Sequence, residues 1–307
     1  MKLLRGTRAF SVLSHGTVAT IGNFDGVHQG HQSLLRELHL QAKRLNKPSL
    51  VILFEPQARE FLTPTLAPVR LSRLREKLQI FKILNIDYVY CLTFNANLAA
   101  MPAQEFADHF LCNLLKVHYF LVGEDVCLGH DRVGLTWLQE WGKLRNIPVV
   151  AYPDVLINDT RVSSTLIRTA LYNGNLAIAA SYLGRHYSLF GRVIYGKQLA
   201  RTFGVPTANL RVYRRSLPLT GVFVVHVKRY DGNWFYGIAN SGIRPTVAGV
   251  EPLVEVHLFD FADSLYGEIL QVIFLHKIRD EKKFFHIDML IEQIYADIHV
   301  SKEYLIK

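Results

Sequence analysis

The segment Val18–His31 constrains the fold most, because an apolar run passes through a glycine-containing loop into a helical pattern. The loop ends in His28 and His31, and leucines recur at helical spacing from Leu34. A strand, a turn and a helix N-terminus form a site where backbone N–H groups and the helix dipole favour a phosphate. Two histidines at this point can donate hydrogen bonds to a transferred phosphoryl group. A chance pair or half of a metal site is the alternative.

The first part of the chain, up to about residue 183, alternates between short apolar runs and helical periods. Buried strands that alternate with helices are typical of a parallel sheet covered on both faces. Ligands of such sheets bind at the carboxyl ends of the strands, where the histidine loop lies. The predicted strands are Val18–Phe24, Ser49–Phe54, Tyr88–Phe94, Tyr119–Gly123 and Val149–Tyr152, and the predicted helices are His31–Leu45, Leu71–Leu84, Ala103–Leu115 and Thr136–Leu144.

The pattern changes after Leu183, where strand-like runs follow one another without helices between them. Turn signals separate these runs, and the spacing favours an antiparallel barrel or sandwich. A last amphipathic stretch, Ile287–Ile298, predicts a closing helix. We therefore expect an α/β chain with two domains, residues 1–184 and 185–307. The predicted strands of the second domain are Leu189–Tyr195, Val222–Tyr230, Trp234–Ala239, Leu253–Phe261 and Ile269–Lys277.

The composition favours a soluble cytoplasmic protein with anionic partners. The 307 residues are 50% hydrophobic and 20% charged, which is ordinary for a globular protein. We find no apolar run of the roughly 20 residues that cross a bilayer and no signal-peptide pattern. The cysteines, at positions 91, 112 and 127, are odd in number and widely spaced, which argues against a disulfide framework. The net charge of +9 suits phosphate-bearing small molecules or nucleic acid.

A second cluster that suits phosphate lies at Arg161–Arg168, near the predicted domain boundary. Ser163 or Ser164 can cap the helix that follows, and Arg168 lies one turn later. Hydroxyls and a guanidinium there can bind the oxygens of a nucleoside triphosphate. An ordinary helix cap is the alternative interpretation of the same residues.

Two features of the second domain also have a chemical interpretation. Glu255 lies within an apolar strand, where a carboxylate requires a polar partner or a function, although the outer barrel face is the alternative. Thr207 and Asn209 share one face of an extended segment, and their side-chain oxygens suit Mg²⁺. A simple turn at Pro206–Asn209 is the alternative for the second pattern.

The motif Gly22–His31, together with Ser163–Arg168, resembles the nucleotidyltransferase half of bacterial bifunctional riboflavin kinase/FAD synthetases. The second half of the chain resembles the kinase module of the same family, with its segments in the same order. The matching segments are Gly191–Val193, Gly204–Leu210, Gly237–Thr246, Val254–Leu258 and Leu275–Phe284. The resemblance covers nearly the whole chain, and implies a Rossmann-like parallel-sheet domain followed by a β-barrel kinase domain.

The resemblance implies two successive reactions that use ATP and Mg²⁺. The second domain would phosphorylate riboflavin to FMN, and the first would adenylylate FMN to FAD with release of pyrophosphate. The implied partners are these small molecules, with neither nucleic acid nor membrane. A riboflavin kinase whose first domain is weak, altered in specificity or retained only for binding is the first alternative. A basic RNA-binding protein is the second.

For the kinase, the resemblance implies that Glu255 is the base that accepts a proton from the ribityl hydroxyl. Thr207 and Asn209 would bind Mg²⁺ and ATP. The remaining kinase residues would contact the phosphates, through Lys197 and Arg201, or the flavin ring, through Arg279 and Phe284.

For the adenylyltransferase, the resemblance implies that His28, His31 and Arg168 are catalytic and contact the phosphates of ATP and the departing pyrophosphate. Asp125 would contact the flavin. The other implied ATP-binding residues are Gly22, Asn23, Phe24, Asp25, Gly30, Ser164 and Thr165.

Three positions depart from the family pattern. Gln57 stands where relatives usually have a histidine, and an amide can donate and accept hydrogen bonds but cannot become a cation. The loop Gly123–Gly129 lacks the usual aromatic and basic side chains. Ala200 replaces a glycine, whose backbone can adopt a positive φ or approach a phosphate closely.

Overall fold

A computed structural model describes residues 1–6, 13–196, 203–246 and 249–306. The chain divides into two compact units. The first consists of Met1–Pro68 and Ser72–Ser163, and the second of Val69–Leu71 and Ser164–Lys307. The second unit therefore includes residues 164–184, which the sequence assigns to the first domain. The boundary at residue 184 remains a prediction.

The first unit contains a six-stranded sheet in the order β1-β4-β3-β2-β5-β6, with every neighbouring pair parallel. This confirms the parallel sheet that the alternating pattern predicts. The strands are β1 (Lys2–Leu4), β2 (Thr17–Ile21), β3 (Ser49–Glu55), β4 (Tyr88–Thr93), β5 (Val117–Gly123) and β6 (Val149–Tyr152), and a separate short hairpin is formed by β7 (Leu156–Ile157) and β8 (Thr160–Arg161).

The helices of the first unit lie between these strands. The segment predicted as one helix over Ala103–Leu115 begins as an α-helix and continues as a π-helix over Ala107–Leu114. The helices are α1 (Gln29–Arg44), α2 (Ala58–Leu62), α3 (Leu74–Ile83), α4 (Ala96–Ala100), α5 (Ala103–Phe106) and α6 (Leu135–Leu144).

The central strand β2 is buried along its whole length, because apolar layers cover both faces of the sheet. Ala19 packs into the cluster that contains Phe120, whereas Val18 packs into the cluster that contains Leu35 and Phe81. Successive side chains of a strand point to opposite faces, so one continuous apolar run supplies both layers. The carboxyl end of β2 leads directly into the histidine loop.

The second unit begins with α7 (Ser164–Tyr172) and α8 (Leu176–Leu183) and continues as a closed barrel of antiparallel strands. The barrel order is β10-β13-β12-β11-β14-β9, and α9 (Ile287–Ile306) follows it. Of the two predicted alternatives, the structure shows the barrel and not the sandwich. The last helix begins at the predicted residue and ends at Ile306, beyond the predicted Ile298. No helix in the described ranges is long and apolar enough to cross a membrane. The strands are β9 (Ser188–Ile194), β10 (Ala208–Arg211), β11 (Gly221–Lys228), β12 (Trp234–Thr246), β13 (Gly249–Leu258) and β14 (Ile269–Arg279).

A buried ion pair fastens α9 to the end of β14. Arg279 Nη2 lies 2.7 Å from Oδ2 of Asp297, and Arg279 Nε lies 3.0 Å from Oδ1 of the same carboxylate. Gln293 Nε2 also donates to the carboxylate, at 2.9 Å, and Asp297 is only 2% exposed. The two-pronged geometry satisfies a charge that would otherwise be buried without compensation.

We expect Asp297→Ala to destabilise the second unit by about 3 kcal/mol, because it leaves the Arg279 guanidinium partly buried without its carboxylate. Thermal unfolding of the full chain measures the effect. The control is Asp280→Ala, which removes an exposed ion pair with Lys277 and is expected to shift the melting temperature little. Equal melting temperatures for wild type and Asp297→Ala would show that the ion pair contributes nothing to the barrel.

Candidate active sites

The loop after β2 has an unusual backbone at two large residues. Phe24 and Val27 have φ values of 46° and 41°, and Gly26 between them has φ 81°. Bulky residues rarely adopt this left-handed region, and such strain persists only where the surroundings enforce it. Both side chains are buried, and the Phe24 ring packs edge-on against Phe81 at 5.8 Å. The apolar core therefore holds the loop in a shape that its backbone alone disfavours.

The loop ends in two stacked histidine rings at the start of α1. His28 is the N-cap residue, and its Nδ1 accepts a hydrogen bond from the backbone N–H of His31. This bond makes Nε2 the N–H donor of a neutral His28 ring. The ring centroids of His28 and His31 lie 3.6 Å apart, and the planes differ by 19°. Gly30 leaves room for this stack, since a Cβ there would lie 3.3 Å from the His28 ring.

His31 is held in its neutral form by its surroundings. Burial lowers its pKa well below the ordinary 6.5, and electrostatic interactions with His28 and Lys77 lower it further. Its Nδ1 is buried and has no hydrogen-bond partner among the described residues. A neutral imidazole carries one donor and one acceptor. His31 can therefore donate a hydrogen bond to a phosphate while the ring itself is uncharged.

Two buried charged residues tie the loop to its surroundings. Lys77 is 1% exposed, and its Nζ donates a 2.7 Å hydrogen bond to the carbonyl oxygen of Asn23. Asp25 is also buried, and its Oδ1 accepts a 2.9 Å hydrogen bond from the backbone N–H of Ser72. The sequence analysis identified Asp25 but missed Lys77. The available signal was a lysine on the apolar face of the predicted helix, three residues before the apolar position 80 and four before Phe81.

Other polar residues follow the neighbouring strands of the same sheet. Gln57, just after β3, is 6% exposed, and its Nε2 has no hydrogen-bond partner in the described parts of the chain. Asp125 follows β5 and forms an ion pair with Arg161 at 3.0 Å. Because the carboxyl ends of parallel strands form one edge of a sheet, these residues follow the same edge as the histidine loop.

The second predicted phosphate cluster, Arg161–Arg168, is divided between the two compact units, and its residues from Ser164 onward belong to the second. Ser164 begins α7, Thr165 is exposed, and Arg168 lies one turn later. The Nε of Arg168 donates a 2.6 Å hydrogen bond to the carbonyl oxygen of Val69. One edge of the guanidinium is thereby fixed by the backbone, which orients the whole planar group. The contacts of these residues with ATP remain predictions.

The barrel places Glu255 on its outer face. Val254 and Val256 pack into the barrel core, so the intervening Glu255 points the other way and is half-buried. Asn209 on β10 lies directly opposite Glu255 on β13. A carboxylate beside an amide at the edge of solvent can accept a proton and remain accessible to a substrate.

Thr207 lies at the entrance of β10 beside a cavity of about 680 Å³. The cavity is lined by apolar and polar residues of four segments, including Pro206, Phe259 and Lys302. His257 Nδ1 lies 2.8 Å from the carbonyl oxygen of Pro206, which joins the β10 entrance to β13. A cavity of this size and mixed lining suits a nucleotide or a flavin.

The remaining predicted kinase residues have different environments. Arg279 makes the ion pair with Asp297 and lies 6.0 Å from the centre of the Phe284 ring. The two residues predicted to flank the flavin are therefore neighbours, and the guanidinium is also part of the barrel–helix junction. Lys197, Ala200 and Arg201 lie outside the described residues, and their roles remain predictions.

Comparisons with known proteins agree with this arrangement. Sequence models of FAD synthetase and of riboflavin kinase match residues 11–166 and 183–305. A Haemophilus influenzae protein named bifunctional riboflavin kinase/FMN adenylyltransferase is 42% identical, with 99% of each chain covered. A Pseudomonas fluorescens protein of the same name is 44% identical over 98% of this chain and 97% of its own. The Escherichia coli K12 protein of that name is 42% identical over 99% and 98%.

A solved structure extends the comparison to three dimensions. A Streptococcus pneumoniae protein, named as a macrolide-efflux protein, is 29% identical and superposes with a TM-score of 0.82 over 98% of both chains. A chain that matches an FAD synthetase model in its first part and a riboflavin kinase model in its second is a two-part nucleotide-dependent transferase. The chain belongs to the bifunctional riboflavin kinase/FMN adenylyltransferase family.

The lowered pKa of His31 predicts how the stability of the first unit depends on pH. The unfolded chain binds a proton at His31 near pH 6.5, whereas the folded chain binds it only well below that value. The unfolded state therefore holds more protons in this window, and the free energy of unfolding falls as the pH drops through 6.5.

Melting temperatures of wild type and His31→Gln, at about pH 7.5 and about pH 5.5, measure this contribution. Wild type should lose more stability on acidification than His31→Gln, while the exposed-site control His109→Gln should behave as wild type. An identical pH dependence in wild type and His31→Gln would contradict the assignment.

Proposed function

We propose that the second unit phosphorylates riboflavin with ATP to give FMN and ADP, and that the first unit adenylylates FMN with a second ATP to give FAD and pyrophosphate. The half-buried carboxylate of Glu255, directed away from the barrel core and paired in register with Asn209, is the observation that carries the first reaction. The stacked histidines at the start of α1 support the second.

In the kinase reaction, Glu255 accepts the proton of the terminal ribityl hydroxyl as its oxygen attacks the γ-phosphorus of ATP. A new oxygen–phosphorus bond forms, the bond to the β-phosphate oxygen breaks, and ADP leaves with that electron pair. A positioned base contributes about 10²-fold to 10⁴-fold to such a transfer, and the larger part of catalysis comes from positioning the substrates and neutralising the phosphate charge. Lys197 and Arg201 would contact the phosphates.

The oxygen atoms of Thr207 and Asn209 fit a magnesium ion. Ala208 and Leu210 pack towards the barrel core, so Thr207 and Asn209 share the opposite face, with a hydroxyl and an amide oxygen as ligands. Mg²⁺ accepts oxygen ligands, needs few from the protein, and would neutralise charge on the ATP phosphates. This agrees with the lack of any cluster of three or more His, Cys, Asp or Glu ligands in the described residues.

In the adenylyl transfer, a phosphate oxygen of FMN attacks the α-phosphorus of ATP, and pyrophosphate leaves as the bond between the α- and β-phosphates breaks. His28 and His31 donate hydrogen bonds to the charge that develops on the leaving group. The loop Gly22–Asp25 presents its backbone to the nucleotide. Ser164, Thr165 and Arg168 supply hydroxyls and a guanidinium that can bind phosphate oxygens. Asp125 would contact the flavin.

Retention of both activities is favoured over the kinase-only alternative. The FAD synthetase match spans residues 11–166, which includes Gln57 and the loop Gly123–Gly129 where the family pattern is altered. The full-length relatives carry both activities in their names. We further propose that the partners are small molecules without nucleic acid. The three cysteines are free thiols, which suits action in the reducing cytoplasm.

Glu255→Gln should stop FMN formation and leave FAD formation from added FMN unchanged. The expected loss of riboflavin kinase activity is about 10²-fold to 10⁴-fold, because the variant keeps the shape of the side chain but removes the base. Flavins are separated chromatographically after incubation with ATP and Mg²⁺, first with riboflavin and then with FMN.

Wild type is expected to give FMN and then FAD in the same assay, and the exposed-site control Glu292→Gln should match it. Loss of both activities in Glu255→Gln would mean that this carboxylate supports the fold. Failure of wild type to form any FMN would overturn the proposed kinase.

Replacement of both His28 and His31 by alanine should have the reverse effect. FAD formation from FMN should fall by at least about 10²-fold, because two donors to the leaving pyrophosphate are lost, while FMN formation continues. The control replaces His109 and His130, two exposed histidines of the same unit, by alanine. An unchanged rate of FAD formation in the His28/His31 variant would refute the phosphate-binding role of the histidine loop.

A further inference from the structure

A single row of residues crosses five strands of the barrel through Glu255. Asn209 on β10 is paired with Glu255 on β13, and Glu255 is paired with Asn240 on β12. Asn240 is in turn paired with Val222 on β11, and Val222 with Arg279 on β14. Adjacent strands lie about 4.8 Å apart, so Asn240 is one strand spacing from the proposed base, on the side opposite Asn209.

Asn240 has the environment of a ligand-binding residue. Its neighbour Ala239 packs into the barrel core, so Asn240 lies on the outer face with Glu255. The residue is half-buried, and its Oδ1 is fully buried with no hydrogen-bond partner among the described residues. A buried carbonyl oxygen without a partner lowers stability, so its retention requires another benefit.

The chemistry of the row decides which substrate Asn240 suits. Glu255 and Asn240 present two hydrogen-bond acceptors side by side, which match a molecule that carries O–H donors on neighbouring carbons. The phosphate oxygens of ATP are acceptors and cannot donate to Oδ1. The ribose of ATP also carries neighbouring hydroxyls, but the triphosphate separates it from the γ-phosphorus that is attacked beside Glu255. The substrate part that matches next to Glu255 is therefore the ribityl chain of riboflavin, whose secondary hydroxyls directly follow the reacting terminal hydroxyl.

We propose that Asn240 Oδ1 accepts a hydrogen bond from a secondary ribityl hydroxyl and thereby aligns the terminal hydroxyl with Glu255. The inference rests on the proposed riboflavin kinase activity. In this arrangement the ribityl chain lies along the row from Glu255 towards β11 and β14, and ATP lies on the Asn209 side. Asn240 would therefore be a specificity-determining residue for the polyol and would make no contact with the flavin ring.

Comparison of riboflavin with lumiflavin, which has the same ring system but no ribityl chain, tests this role. Fluorescence titration of the full chain gives the dissociation constant of each flavin for wild type and Asn240→Leu. We expect riboflavin binding to weaken about tenfold, the loss of one buried hydrogen bond, and lumiflavin binding to change less than about twofold. In steady-state assays of the kinase reaction, the KM for riboflavin should rise while the KM for ATP stays unchanged. The rate of FAD formation from added FMN should also stay unchanged.

Two controls separate this role from a structural one. Asn233→Leu makes the same substitution in an exposed turn, where Asn233 bonds to Asp231, and should leave both flavin affinities unchanged. If Asn240→Leu does not fold, Asn240→Ala provides the same comparison, because the ratio between the two flavins cancels a general loss of binding-competent protein.

Equal weakening of riboflavin and lumiflavin, or an unchanged affinity for both, would overturn the proposal. A rise in the Mg²⁺ or ATP requirement alone would assign Asn240 to the metal side and would also overturn it. Wild type that forms no FMN would instead refute the kinase activity itself, which distinguishes the two failures.

Discussion

The pairing register of β13 determines both the barrel core and the position of the proposed base. Val254 and Val256 enter the core and Glu255 faces outward, with β10 paired on one side and β12 on the other. A slip of one residue would exchange the two faces. It would remove both valines from the core, at about 1.5–3 kcal/mol each, and would place a bare carboxylate among apolar side chains. The packing of the apolar core thus fixes the position of the proposed base.

In the first unit, core packing likewise fixes the position of candidate functional residues, which lie on a loop. Phe24 and Val27 are forced into left-handed backbone conformations by the packing of their own buried side chains. Lys77 holds the carbonyl oxygen of Asn23, and the charge that makes this bond strong also disfavours protonation of His31. One buried lysine therefore shapes the loop and adds to the effect of burial, which is the main reason why the pKa of His31 is lowered. In both units the packing of buried residues positions the groups to which a chemical role is proposed.

Much of the architecture could be predicted because periodicity is a local property. The runs Ser49–Phe54 and Val149–Tyr152 are strands within one residue of their predicted bounds, since buried parallel strands are continuously apolar. β1 was missed because it is a three-residue edge strand whose pairing with β4 is non-local. The π-helix over Ala107–Leu114 was also missed. Over eight residues its apolar pattern cannot be distinguished from that of an α-helix.

The barrel is closed by the pairing of β9 with β10, and this pairing distinguishes it from a sandwich. The sequence analysis did not predict β10 as a strand, because its four residues follow Pro206, which is typical of a turn. The candidate site was partly accessible to sequence reasoning, because Glu255, His28 and His31 stand out by residue type. Lys77 and Asn240 did not stand out. The position of Lys77 on the apolar face of its helix was the one sequence signal, whereas its bond to Asn23 and the pairing of Asn240 with Glu255 are visible only in the folded chain.

Polar atoms that are buried without partners connect stability with function in this chain. His31 Nδ1 and Asn240 Oδ1 each lack a hydrogen bond among the described residues, and both residues have a proposed substrate role, unlike Thr20 and His39, which also have such an atom. Such an atom lowers the stability of the folded state by about 1–3 kcal/mol. A substrate that completes the bond recovers this free energy only when it is bound, so the same defect strengthens binding. An apolar replacement would relieve the folded protein and weaken its complex. A polar group therefore persists in such a place when binding outweighs the stability that it removes.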